Sequence, residues 1–312
     1  MTKTTRKPFS VPQRLLIGAI LAVPPLATCW YLLKSGVYGL TLFLLLPIVA
    51  GAIASWIMDA KTARECMWAG ALGAVLSTFL LLATGMEGLI CIFMSWPLAI
   101  PLGMFGGMGM FWHQRYSAPK SARFMMMILP LGTMGFDTIA EPPVYEVKTS
   151  IEIAATPDQV WKHVVSFSDI AEPTEWFFNT GLAYPKRTRI VGSGPGALRY
   201  CDLSTGPVVE TVEVWDEPRL LRFQVTKSPP PMRELGLYGD IYPKHLEGYF
   251  QSKQGQFKLT ALSGGRTLVE GASWYQHGLW PAQYWRLWSD EIVHRIHVRV
   301  LTHVKALAEA ER

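Results

Sequence analysis

Two rhythms of hydrophobic residues run along this chain, and they change over near residue 140. Before that point apolar residues come in long blocks. Residues 15–33, 37–58, 67–84 and 88–112 are almost free of ionisable side chains. A bilayer core needs roughly 20 apolar residues of helix at a rise of about 1.5 Å each. The four blocks therefore read as membrane-spanning helices. A cleaved signal peptide would account only for the first, and its length and the lack of an Ala-x-Ala ending argue against one. A fifth block, 124–140, starts Phe-Met-Met-Met-Ile-Leu-Pro-Leu-Gly and holds Asp137 near its end. It is either a full span with Asp137 at the far interface or a short interfacial or re-entrant helix.

After Glu141-Pro142-Pro143, read as a short rigid hinge, the rhythm becomes that of a globular α+β domain. Residues 144–153 alternate as a strand. Thr156-Pro157 with Gln159 forms a helix start, and the helix should run to about 167. A second short helix is expected around Trp176 and Phe177. Strands follow at 188–192, 197–204, 208–215, 220–226, 247–262 and 267–276, separated by turn residues. Residues 281–309 form one long helix without internal Pro or Gly. The Gly192–Gly196 run lacks a Gly-Lys-Ser/Thr ending and lies between strands, so it reads as a tight hairpin rather than a phosphate loop. The two materials divide the chain into a membrane region, 1–140, with four or five helices, and a soluble domain, 141–312.

Charge splits along the same line. Residues 1–140 hold ten Lys/Arg against four Asp/Glu, and the rest holds nineteen against twenty. The net +5 thus comes from loops beside the membrane and is not the basic stripe of a nucleic-acid binder. Lys3, Arg6, Lys7, Arg14, Lys61, Arg64, Arg115, Lys120 and Arg123 fall on one side of an alternating topology, and only Lys34 falls on the other. The positive-inside rule then places the N-terminus in the cytoplasm of a multi-pass cell (inner) membrane protein. Five spans put the C-terminal domain outside and four put it inside; Arg123 before the fifth block, with Asp137 and Glu141 after it, favours the external, periplasmic side. Within the spans only Glu87 and Asp137 approach the apolar core, and both fit interfaces, so this half reads as an anchor rather than a transporter. Pro24, Pro25, Pro47, Pro97 and Pro101 predict kinks. Gly103 and Gly107 have the spacing for close helix contact, with or without dimerisation.

The soluble half holds a single cysteine, Cys201, so it has no internal disulfide, and no Cys-x-x-Cys pair suggests a metal site. No Gly-x-Ser-x-Gly or His-Glu-x-x-His motif is present. Asp290, His294 and His297 share a helical face, but with no further ligand in view the expectation is a solvated polar face and no metal. No cofactor is expected. On the last helix, about 100° per residue puts Trp285, Trp288, Ile292, Ile296, Val300 and Leu307 on one face, with Arg299 and His303 inside the same arc. Those two either snorkel to water or hold the polar head of a ligand. In 208–215 a regular strand turns Glu210 inward among valines, with Arg199 or Arg299 as candidate partner; a bulge after Pro207 would turn it outward. The connection 229–248 is long, as lids and binding loops are. It holds Tyr238, Glu234, Asp240, His245 and Glu247, from which an acid–base pair such as His245 with Asp240 could be drawn. The aromatic run from Trp274 to Trp288 would line a pocket or rest on a bilayer surface.

The segments Ile151-Glu-Ile-Ala-Ala-Thr-Pro-Asp-Gln-Val-Trp161, Gly194-Pro-Gly-Ala-Leu-Arg199 and Val212-Glu-Val-Trp-Asp-Glu-Pro-Arg-Leu-Leu221, with the closing helix, resemble the SRPBCC superfamily. These are the START/Bet v 1-like helix-grip proteins, which include polyketide cyclase/dehydrase-like and lipid-transport domains. The resemblance covers roughly residues 145–310. It implies a curved antiparallel sheet wrapped around the last helix, with an apolar cavity between them. Three readings follow. The first is a membrane-anchored module that binds a lipid or other apolar small molecule, next to the lipid bilayer. The second is a cyclase-, dehydratase- or hydrolase-type enzyme working in the same cavity. The third is an assembly or regulatory protein whose cavity is filled by side chains.

Overall fold

The computed structural model of the protein describes residues 9–116, 129, 132–137, 139 and 141–311. The chain divides into two compact units: residues 1–140 with 236–244, and residues 141–235 with 245–312.

The first unit is helical. α1 (Val11–Ser35), α2 (Leu46–Ile57), α3 (Ala63–Ala83) and α4 (Leu89–Arg115) follow in order. α1, α3 and α4 are long and apolar enough to cross a membrane. α2 is entered through a π-helical turn, Thr41–Leu45. Together they make an apolar helix, Thr41–Ile57, that is shorter than the other three. Pro47 explains the wide turn: without an N–H it cannot close an α-helical bond onto Phe43. The glycine pair on α4 is used inside the bundle. A Cβ on Gly103 would lie 2.5 Å from the Gly70 carbonyl oxygen on α3, and one on Gly107 would collide with the Cys66 carbonyl. Only glycine allows backbones this close.

The ends of the bundle are marked by polar contacts. Arg14 at the start of α1 meets Asp59 after α2, and Lys61 joins them. At the other end Glu87 is buried and accepts a 2.7 Å hydrogen bond from the Tyr38 hydroxyl. Asp137 also sits at that second end. Its carboxylate accepts from the backbone N–H groups of Leu40 (2.6 Å) and Thr41 (3.0 Å). It thereby satisfies donors that a helix start leaves open, and places negative charge at the positive end of the helix dipole. Arg115 closes α4 at the first end, eight residues past the contact of Gly107 with the start of α3. Arg115 and Asp137 therefore stand at opposite ends of the bundle. Residues 132–137 are helical, and most of the expected block 124–140 lies outside the described residues.

The second unit is a seven-stranded antiparallel sheet in the order β1-β9-β8-β5-β4-β3-β2. Its strands are β1 (Val144–Ile153), β2 (Pro185–Val191), β3 (Leu198–Leu203), β4 (Gly206–Asp216), β5 (Leu220–Lys227), β8 (Phe250–Leu262) and β9 (Arg266–His277). α5 (Pro157–Val165) follows β1, and the long α6 (Ala282–Ala310) closes the domain. This is a helix-grip fold: a curved sheet packed on its C-terminal helix. The capping box expected at Thr156 forms, with its N–H donating to Gln159 Oε1 at 3.0 Å. Along β1, burial alternates with the two-residue pleat: Tyr145, Val147, Thr149 and Ile153 face in. The β1–β9 register sets Tyr145 opposite Tyr275, Thr149 opposite Gly271 and Ile151 opposite Val269.

Two apolar clusters line the grip. The larger joins Ile153, Val160, Trp161, Val164, Leu221, Phe223, Val269, Leu301 and Val304. The smaller joins Tyr145, Val147, Tyr275, Ala282 and Val293. The long connection 229–248 holds a small hairpin that the sequence pattern did not predict, β6 (Glu234–Gly236) and β7 (Gly239–Ile241).

Candidate functional site: the inner face of the grip

Polar groups interrupt the inner face at three places, and a fourth polar cluster lies at the root of the small hairpin. On the β3–β4 hairpin, Arg199 pairs in register with Glu210, and both are buried. The Arg199 guanidinium contacts the Glu210 carboxylate, donates to the Val165 carbonyl at 3.2 Å, and lies 4.9 Å from the Phe223 ring centre. A register shift does occur at Val209/Glu210, yet Glu210 stays inward. Burial pushes its carboxyl above the usual carboxylate range, and the guanidinium offsets part of that. Beside it, burial pushes the Cys201 thiol up to about 12, which makes it inert.

The second place lies between the two apolar clusters. His297 on α6 is buried, with Nε2 2.8 Å from Ser273 Oγ on β9 and Nδ1 3.2 Å from Thr149 Oγ1 on β1. His294 Nδ1 reaches the same Thr149 hydroxyl at 2.8 Å. This corrects the expected solvated face: His294 is exposed, but His297 is a strut between helix and sheet. Burial, with His294 nearby, holds the His297 imidazole down at about 4. It is therefore neutral near pH 7 and bonds as a donor–acceptor pair.

At the third place, Tyr145, Tyr275 and His277 stack, with 5.4 Å between the Tyr145 and His277 ring centres. The Tyr275 hydroxyl donates to Asp290 at 2.6 Å, and Arg286 lies over Tyr145. Burial lowers the His277 imidazole and, with Asp290, raises the Tyr275 phenol.

The fourth is a pair of residues 11 positions apart at the root of the small hairpin. Glu234 is fully buried, and its carboxylate lies 3.5 Å from His245 Nε2, on a short helical turn whose imidazole is also buried. Among the described residues neither Glu234 oxygen has a hydrogen-bond donor. The segment is held by Arg233 N–H on the Gly181 carbonyl (2.8 Å) and Ala183 N–H on Pro231 (3.0 Å). The carboxylate beside His245 is thus Glu234 rather than the expected Asp240, which sits exposed on β7.

The remaining candidates separate. Trp285 is buried; Trp288 is half-buried. The helix face that meets the sheet carries Trp285, Val293, His297, Val300, Val304 and Ala308, about one residue's turn from the expected arc. Ile292, Ile296, Arg299 and His303 form its half-buried flank. Arg299 donates to the carbonyls of Pro185 (3.1 Å) and Ala171 (2.5 Å) and lies 5.2 Å from the Tyr184 ring, so it props the 166–185 segment. His303 meets the edge of Phe167. Trp274 pairs with Glu146 and Gln254 and alternates with inward Tyr275, which puts it on the outer face. Tyr238 is exposed at the hairpin tip. Sequence reasoning missed the Glu234–His245 contact, the Thr149–Ser273–His297 strut and the Tyr145–His277 stack; period-two alternation marked the inward rows, but not what the helix would set against them.

Residues 145–244 match the family described as polyketide cyclase/dehydrase and lipid transport. Solved structures similar to this chain include three of low identity. A norcoclaurine synthase point mutant from Thalictrum flavum, in complex with a transition state analogue, is 10% identical, with a TM-score of 0.36 over 55% of this chain and 98% of that one. The Zhui aromatase/cyclase from Streptomyces sp. R1128 is 15% identical, with a TM-score of 0.34 over 54% and 94%. A protein from Nitrosospira multiformis is 19% identical, with a TM-score of 0.36 over 54% and 100%. Likenesses of this degree say nothing of activity. No curated protein matches the chain.

Proposed function

We propose that this SRPBCC-like domain, carried behind apolar helices, is a membrane-anchored module that takes up a lipid or other apolar small molecule between its curved sheet and α6. The make-up of the inner face carries the reading. Rows of Val, Ile, Leu, Phe and Tyr are broken by a few polar side chains, which is how small-molecule sites are built. Trp285 and Trp288 offer apolar contact, and His277 and His303 offer hydrogen bonds. Arg199–Glu210 and Arg299 stiffen the wall. Tethering to a bilayer raises the local concentration of membrane-dissolved ligands at the domain. The positions of Arg115 and Asp137 at opposite ends of the helical unit support five crossings. With the basic residues at the N-terminal end, they support an external, periplasmic side for the domain. Protease added to intact spheroplasts should then cleave the domain; protection until lysis would place it inside.

The direct test is organic extraction of the purified full chain followed by mass spectrometry. A near-stoichiometric apolar compound that is lost when Val212→Trp fills the inner face supports the reading. Recovery of bulk membrane lipid alone, unchanged by that substitution, opposes it.

Glu234 beside His245 favours a second reading, acid–base turnover of the same apolar molecule by cyclase-, dehydratase- or hydrolase-type chemistry. In that case Glu234→Gln would retain the co-purified compound but stop its conversion.

A further inference from the structure

The hairpin that interrupts the grip domain is built like a membrane contact. Leu237 is 56% exposed, Tyr238 83% and Tyr242 81%, three large side chains within six residues. Tyrosine, with an apolar ring and a polar tip, is the side chain enriched where bilayer meets water. Residues 236–244 also fall in the compact unit of the apolar helices rather than in the domain that flanks them in sequence.

The sheet's topology brings the same end forward. Val144 opposes Gln276, and Phe250 opposes His277, so the first residues of β1 and β8 and the last of β9 share one end of the sheet. β5 runs antiparallel to β8 and finishes toward that end as well. The 228–249 connection therefore leaves from the end at which β1 begins, after Glu141. The root of the hairpin is firm, with Glu234, Pro243, His245 and Leu246 all buried, while the tip is not.

We propose that residues 236–244 form a strap that lies in the bilayer interface, with Leu237, Tyr238 and Tyr242 among the lipid headgroups and upper acyl chains. The strap holds one end of the grip against the membrane. This inference leans on the anchoring helices and not on ligand capture.

Spin labels test it in the full chain reconstituted into phosphatidylcholine/phosphatidylglycerol vesicles. Labels go on Tyr238→Cys and Tyr242→Cys. Ser263→Cys, on the opposite turn, reports water, and Leu26→Cys on α1 reports the apolar core. The unmutated chain, carrying its four cysteines, is the blank. Collisions with oxygen and with a nickel chelate are then compared. The expected result is that labels at 238 and 242 lose most of the nickel collisions seen at 263 while oxygen collisions rise toward those at 26. High nickel collisions at 238 and 242, with Leu26→Cys reading as buried in lipid, overturn the strap and leave the anchor intact. Low collisions with both probes overturn it in favour of a protein partner or a second copy. Nickel access at Leu26→Cys removes the anchor and the strap together.

Discussion

Among the described residues of the grip domain two carboxylates are buried, in opposite electrostatic circumstances. Glu210 lies on the β3–β4 hairpin against a guanidinium that also bonds a backbone carbonyl and rests on two aromatic rings. Glu234 is more deeply buried, has no hydrogen-bond donor among the described residues, and faces an imidazole at 3.5 Å. A buried charge is tolerated when it is paired and bonded, and is otherwise costly. The contrast separates a closed structural pair from a site with spare bonding capacity. Spare capacity is where ligand or proton chemistry has room to act.

The largest effect should come from opening the closed pair. Arg199→Met leaves Glu210 buried and alone, at a cost of about 3–5 kcal/mol, or roughly 10 °C in Tm. Thermal unfolding of the full chain should show that loss, and Arg199→Met with Glu210→Met should recover most of it. If the double variant is as unstable as the single one, Glu210 is not the reason for Arg199.

Next in size is the pH dependence of the strut between helix and sheet. Below the ordinary histidine pKa near 6.5, the unfolded chain takes up a proton that folded His297, held at about 4, refuses. Stability is then complete above about pH 6.5 and falls toward pH 4, at up to about 1.4 kcal/mol per pH unit for this group. Denaturant titrations of the full chain at pH 7.5, 6 and 5 should show this slope, and His297→Gln should flatten it. Equal slopes would mean that His297 is not the strut described.

Glu234→Gln should move stability by about 1 kcal/mol or less, because it keeps the side chain's size and breaks no hydrogen bond of the carboxylate among the described residues. A loss like that of Arg199→Met would mean that Glu234 is as firmly paired as Glu210. Smallest of all, Tyr238→Ser with Tyr242→Ser should change the unfolding free energy by no more than about 0.5 kcal/mol, read as a nearly unchanged Tm.

The closed pair was legible in part, because it is local, although Arg299 stood open as the partner and a bulge as a way to turn Glu210 outward. Arg199 and Glu210 sit 11 positions apart across one tight hairpin, and alternation puts both inward. The open pair was not, because Glu234 is positioned by pairing with residues 181–183, some 50 positions earlier, which no local pattern encodes. The hairpin it roots has Gly236 and Gly239 but no Asn-Gly or Asp-Gly turn, so it read as open loop. Long-range packing also decides the helix face. Angles placed Trp288, Ile292 and Ile296 at the centre, while the sheet's two clusters draw Val293, His297 and Val304 inward instead. The positions of the strands and of the apolar helices follow closely from periodicity, since each rests on the pattern of its own residues, whereas the order of strands in the sheet does not.

The most direct test of the grip as a container is a high-resolution density map of the full chain in lipid nanodiscs. Elongated non-protein density is expected between α6 and the curved sheet, to one side of the direct contacts that His297 makes with Thr149 and Ser273, and touching Trp285 or Trp288. Side chains packed continuously from Tyr145 to Val304, with no such density, would contradict it.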